Sequence, residues 1–322
     1  MTLWLVRRVL AAIAIVFAVV TLIFFAIHAA PGTPFLPGGD RHLDPVLVAS
    51  LRARFGLDQP LPMQFAHYLS ALVRGDMGES FRLQLPVKDA LAAAIPNTVL
   101  LAAAALTIDF LLGIVIGAWQ AARAREGSDA ALTAVMLFGY SLPTFWLGLV
   151  LLLLLGDWIH LFPIGGAIDP VFHGSMSLGG RVLDRLRHLA LPALTLGLVG
   201  AAGTARFQRA AMLNALERAF VRTARAKGLA EPVVLIRHAL SNALLPTITL
   251  LGLALPFLLT GSVVVETVFA WPGMGKLAAD AIASRDYPMV MATALVASIM
   301  VVIGNLFADL LYAAADPRVR PT

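Results

Sequence analysis

Gly273-Met274-Gly275-Lys276 is the stretch of this sequence that begins to look like a phosphate cradle. In such a loop, successive backbone N–H groups and a lysine close on phosphate oxygens. The pattern also needs a glycine where Ala270 stands and a Ser or Thr where Leu277 stands, so the chain has no nucleotide loop of its own. His28, His160 and His173 stand singly, without the spacing of metal ligands. Neither an HExxH helix nor a GxSxG elbow occurs. With no cysteine there is no thiolate metal site, disulfide or Cys nucleophile. Groups this dispersed argue against a membrane-bound hydrolase.

The remaining candidates are polar residues in apolar surroundings. Asp109 interrupts a long apolar run. An acid at that depth is costly and is by default a functional position, unless a Ser, Thr or Asn of a neighbouring helix caps it. Asn305 and Asp309 lie one helical turn apart on a shared face. They could pack towards Arg318 or the basic inside segment, and a structural hydrogen-bonded role is the simpler reading. Glu266 stands at the outer end of a span, where it could gate an outer mouth or be a plain interfacial carboxylate.

These residues must be positioned in lipid. Hydrophobic residues make up 59% of the chain and charged ones 13%, against about 25% charged in soluble domains. The mean hydropathy is +0.85. Each span needs about 20 apolar residues. The runs that qualify are 9–29, 95–119, 130–155, 189–205 (short), 243–265 and 288–312. The first is too long for the apolar core of a signal peptide and lacks a cleavage site. The fold class expected is all-α, a polytopic membrane protein with six transmembrane helices.

Orientation follows from the basic residues. With the N-terminus inside, the inside segments hold Arg7, Arg8, Arg123, Arg125 and the cluster between Arg206 and Arg237, with few acids, which satisfies the positive-inside rule for an N-in, C-in chain. Trp119, Trp158 and Trp271 fall near span ends, as interface anchors do. The net charge of +5 is therefore a matter of topology. No basic face with interleaved aromatics suggests nucleic acid. No inverted repeat is visible, which disfavours the common secondary-transporter architectures.

The inside connection 206–242 is too long for a turn, and its core reads FVRTARAKGLAEPVVLIRHALSNALLPTIT over 220–249. It is a helix, a break at Gly228, a second helix begun by Glu231 and Pro232, and then a span. Ala224 and Ala226 are small enough to admit another surface, and Arg222, Arg225, Lys227 and Arg237 make a basic rim. Physics alone leaves two readings open, a helix on anionic lipid or a docking site for a protein.

That segment resembles the EAA loop of ABC importer permeases, in the form found in the dipeptide, oligopeptide and nickel permease family. The matching residues are Val221 to Leu229 and Glu231, then His238, Ala239, Leu240, Asn242, Ala243, Leu244 and Pro246. Phe220, Pro232 and Ser241 depart from the family pattern. Arg54–Leu61, Gly75–Phe81, Ser141–Gly148, Glu266–Gly275, Arg285–Pro288 and Asp316–Arg320 resemble further family motifs in the same order, so the likeness covers nearly the whole chain. The long loop after the first span is similar to that of the B-type member of the pair.

The resemblance implies a type I permease fold. Its expected divisions are a first transmembrane helix (1–30), an outside loop with short helices (31–94), a permease core (92–315) with coupling helices at 218–240, and a cytoplasmic tail (316–322). It further implies an ATPase-docking segment made of Arg222, Thr223, Ala224, Arg225, Ala226, Lys227, Gly228, Leu229, Glu231 and His238. Asp109, Glu266, Asn305 and Asp309 are the candidates for the translocation pathway or gate, with Asp109 able to meet a peptide's amino terminus. The expected partners are a homologous C-type permease, two ABC ATPases and a periplasmic or lipid-anchored substrate-binding protein, in the bacterial inner membrane. No cofactor is expected on this chain, since ATP and Mg²⁺ belong to the ATPases. The solute implied is a di- or oligopeptide, a nickel chelate or a similar small solute. The rival readings are a proton-driven carrier working through Asp109 and a membrane enzyme.

Overall fold

The structure, a computed structural model, describes residues 2–30, 56–124 and 126–315. The short helix expected at 45–55, the start of the Arg54–Leu61 motif, Arg125, Arg318 and the 316–322 tail lie outside the described residues.

In lipid a segment must satisfy its backbone N–H and C=O groups internally, which favours helices. In chain order they are α1 (Thr2–Ala29), α2 (Leu61–Val73), α3 (Val87–Ala122), α4 (Gly127–Ser141) and α5 (Thr144–Leu151), the last continuing as a π-turn over Leu152–Trp158. Then come α6 (Leu178–Leu216), α7 (Ala219–Ala226), α8 (Glu231–Val233) with a π-turn over Val234–Leu240, α9 (Ser241–Leu259), α10 (Val263–Val268), α11 (Met274–Ala283) and α12 (Tyr287–Ala315). Among the described residues five helices are long and apolar enough to cross a membrane. The bent α4–α5 pair supplies a sixth span if counted as one.

Two spans differ from the sequence reading. The third, expected as one run over 130–155, is broken between α4 and α5 by a bend of 101°. The cause is local: Leu142 precedes Pro143 and is held extended at ψ 134°, because a proline ring excludes the helical region for the residue before it. The fourth, expected at 189–205, is a 39-residue helix. Arg181, Asp184, Arg185 and Arg187 at one end and Arg206 and Arg209 at the other hide its length from a hydropathy reading.

The centre of the bundle is the seam between α3 and α6, where glycines bring backbone against backbone. A Cβ on Gly113 would lie 2.6 Å from the Thr204 side chain, and one on Gly117 would lie 2.5 Å from the Ala205 carbonyl oxygen. A Cβ on Gly197 would lie 2.6 Å from Ile108. Small residues at helical spacing are the means by which helices approach closely in lipid, where apolar burial between helices gives little drive.

Alternation of the spans puts 217–230 at the end that also holds the α3–α4 connection, and 260–286 at the opposite end with α2. Each end has its own packed cluster. Ala121, Met212, Val221, Ala224, Val234 and Ala239 are buried together at the first end. Val87, Leu91, Met274, Ala281, Met289 and Val290 are buried together at the other.

Candidate functional site

The segment 219–240 stands out from the first end on a buried footing. Val221 and Val234 are fully buried and Ala224 is 4% exposed. Ala224, counted among the docking residues for its small size, therefore packs inward on the chain's own core. Ala226 does face outward, in an unbroken exposed run from Arg225 to Val233. Gly228 has φ +76°, and no heavy atom lies within 4 Å of where its Cβ would be. The glycine is thus required by backbone conformation and not by crowding. Its N–H donates to the Arg225 carbonyl (2.9 Å) and the Leu229 N–H to the Ala224 carbonyl (3.4 Å), the paired bonds of a Schellman helix end.

Arg225 then reaches across the turn. Its Nε and one terminal N–H donate to both Glu231 oxygens at 3.1 and 2.6 Å. The Glu231 carboxylate raises the Arg225 pKa above its usual value. This fork fixes the angle between α7 and α8, while Arg222, Lys227 and Arg237 stay exposed around it. Phe220, Leu229, Val233 and Ile236 are exposed apolar residues on the same projection. The sequence reading passed over Val233 and Ile236, although apolar side chains in a basic inside connection were a usable signal. His238 is half-buried, and its carbonyl accepts the Asn242 side-chain N–H at 2.8 Å. Below this footing, Arg209 of α6 makes a two-pronged bond to the buried Asp129 of α4 at 2.9 and 2.6 Å, and Thr247 of α9 donates to the buried Gln208 at 2.5 Å. Three spans are thereby tied to the base of the projection.

The four pathway candidates do not converge. Asp109 is buried in the α3–α6 seam, where Thr204 Oγ1 donates to it at 2.6 Å and a Cβ on Gly200 would overlap its carboxyl group. Asp309 pairs with Arg8 of α1 and so ties the first span to the last. Asn305, one turn away, is exposed on α12. Glu266 has no solvent exposure. Thr98 Oγ1 donates to it at 3.3 Å, the Lys276 N–H donates at 2.8 Å, and the Gly275 N–H bonds it as well. The GMGK run thus does turn backbone amides towards an acidic group. The group is the chain's own Glu266 carboxyl, held at the start of α11 and pushed up from its usual pKa by burial.

Two further polar knots at that end went unread in the sequence. Asp286 accepts from Ser80 Oγ, from the Phe81 and Arg82 N–H groups at 3.2 Å each, and from the Met289 N–H at 3.3 Å, which joins the loop before α3 to the start of α12. Asp184 lies between His173 (2.6 Å) and His188 (3.2 Å). The 184/188 spacing was readable as one helical turn, whereas His173 arrives through the preceding loop.

Residues 113–321 match the family described as binding-protein-dependent transport system inner membrane component, and residues 1–102 match the N-terminal region of such membrane components. The oligopeptide transport system permease protein AppB of Bacillus subtilis is 38% identical over 320 residues, covering 99% of both chains. The dipeptide transport system permease protein DppB of Escherichia coli K12 is 36% identical over 94% of each. The glutathione transport system permease protein GsiC of Pectobacterium atrosepticum is 36% identical over 98% of each. The chain therefore belongs to the binding-protein-dependent transport system inner-membrane family: it is a multi-pass permease subunit of an ABC importer, part of the translocation pore and not an enzyme, working with ATPase and binding-protein partners.

Proposed function

We propose that this chain forms half of the translocation pathway for short peptides, pairs with a homologous C-type permease, and is driven by two ATPases that grip the 222–238 projection. The observation that carries the reading is the exposed run Arg225–Val233, standing on a fully buried base. A surface that keeps Leu229, Val233 and Ile236 in water beside arginines and lysine is suited to a partner groove. ATP and Mg²⁺ act on those partner subunits. A solute-binding protein delivers the peptide at the opposite end. ATP-driven closure of the ATPases draws the projections together, and the helices above them move as rigid bodies. The names of the relatives support peptides as the solute class.

A tagged chain purified from membranes, as wild type, Gly228→Asp and Leu229→Asp, tests this reading. Wild type is expected to carry ATPase activity with it, and both variants to lose that activity, Leu229→Asp at unchanged melting temperature because the position is exposed and Gly228→Asp at the small cost of a side chain on a left-handed backbone. A well-folded wild type that brings no ATPase under complex-preserving conditions overturns the docking assignment and returns attention to Asp109.

A further inference from the structure

Two cavities share the seam where α1, α2 and α12 meet. One, about 360 Å³, lies along the apolar stretch of the spans and is lined, among the described residues, by apolar side chains only, including Ala12, Val16, Leu72 and Ile299. The other, about 300 Å³, lies towards the outer end and is lined by Phe24, His28, Tyr68, Asp76, Glu79 and Tyr287 among others, with no lysine or arginine among the described residues. They have a common wall. Val20, Phe24, Met291 and Leu295 are buried in a single cluster, with Val20 and Leu295 lining the first cavity and Phe24 and Met291 the second. Each helix passes from one cavity to the other within one turn.

The outer cavity has the chemistry of a cation site. The His28 ring lies 4.2 Å from that of Phe24 and 5.1 Å from that of Tyr287. Asp76 spends one oxygen on the Gly78 N–H at 2.9 Å. Among the described residues Glu79 forms no ion pair. Tyr68 Oη is buried without a hydrogen-bond partner among them. Carboxylates attract an ammonium group by charge and by hydrogen bonding, and aromatic faces attract it through their quadrupole. Burial pushes the Tyr68 hydroxyl up to about 12, which keeps it a neutral donor for a phosphate or ester oxygen. A soluble amine would use the outer cavity alone. Only an amphiphile uses an ammonium cavity and a dry groove in line with it.

We infer that this seam holds a membrane phospholipid with an ammonium-bearing headgroup, its amine among Asp76, Glu79 and the rings, and an acyl chain in the groove between α1 and α12. The site is independent of the peptide and ATPase assignments.

The test is native mass spectrometry of the full chain with its co-purifying partners, delipidated and then offered phosphatidylethanolamine or phosphatidylglycerol with matched acyl chains. Phosphatidylethanolamine is expected to be retained about ten-fold better than phosphatidylglycerol. Glu79→Gln with Asp76→Asn at the headgroup end, and separately Ala12→Trp in the groove, are each expected to lower its retention about ten-fold. Glu79→Gln alone, at an exposed side chain, keeps the melting temperature of wild type and still weakens retention. Equal retention of both lipids, or variants that hold phosphatidylethanolamine as wild type does, overturns the site. Retention of free ethanolamine by the delipidated protein without retention of phosphatidylethanolamine would assign the cavity to a soluble amine and overturn the lipid.

Discussion

The turn at Gly228, at one end of the molecule, and the turn at Gly273–Gly275, at the other, are built from the same parts: glycines, a basic residue and a glutamate at the end of a short helix. At Gly228 the parts face outward. The glycine has open space around it, and the Arg225–Glu231 pair is about half exposed on both sides. At Gly273–Gly275 the parts face inward. Cβ atoms on Gly273 and Gly275 would lie 2.6 and 3.0 Å from the Glu266 carboxyl group, which has no exposure. One turn holds an exposed surface in shape. The other fastens α3, α10 and α11 to one another. Charge pattern alone does not separate the two, because the difference lies in whether the carboxylate's partners are side chains in water or backbone amides out of it.

Glu266→Ala should give the largest effect. It strands the Gly275 and Lys276 amides and the Thr98 hydroxyl, and a loss of about 3 kcal/mol is expected, read as a lower melting temperature and poor yield from membranes. Should Glu266→Ala fold as wild type does, the carboxylate is not the fastening and the comparison fails. Paired glycine substitutions come next. Gly273→Ala drives a methyl into the carboxyl group and is expected to cost about 2 kcal/mol. Gly228→Ala meets only the left-handed backbone and should cost about 1 kcal/mol, with ATPase association weakened beyond what stability explains. Equal costs would mean that the two turns are crowded alike. The smallest effect belongs to Arg225→Ala. An exposed pair is worth under about 1 kcal/mol, so thermal stability should barely move, while salt sensitivity of ATPase association should change measurably.

Much of this architecture was legible in the sequence. Apolar runs located most of the spans, and the 220–249 stretch singled out its own turn at Gly228. What failed did so for physical reasons. Hydropathy cannot report the ends of α6, where Arg181 and Arg209 are charged yet helical. It cannot report the bend at Pro143, although a proline inside an apolar run was the available warning. Glu266 read as a gate candidate because a carboxylate near a span end is ordinarily wet; its burial depends on amides contributed by a turn folded over it. The Arg8–Asp309 pair joins residues from opposite ends of the chain, and no local pattern carries such a contact.

The α3–α6 seam has a mechanical consequence. Along this seam the Thr204, Ile108 and Asp109 side chains fill the space that Gly113, Gly197 and Gly200 leave open, and Thr204 bonds Asp109 across it, so sliding would force these groups out of the gaps that hold them. The pair must travel as a stiff spar. Compliance is then concentrated elsewhere, at the break before Pro143, so a push at one end of the bundle is taken up at that bend and not dissipated in the centre.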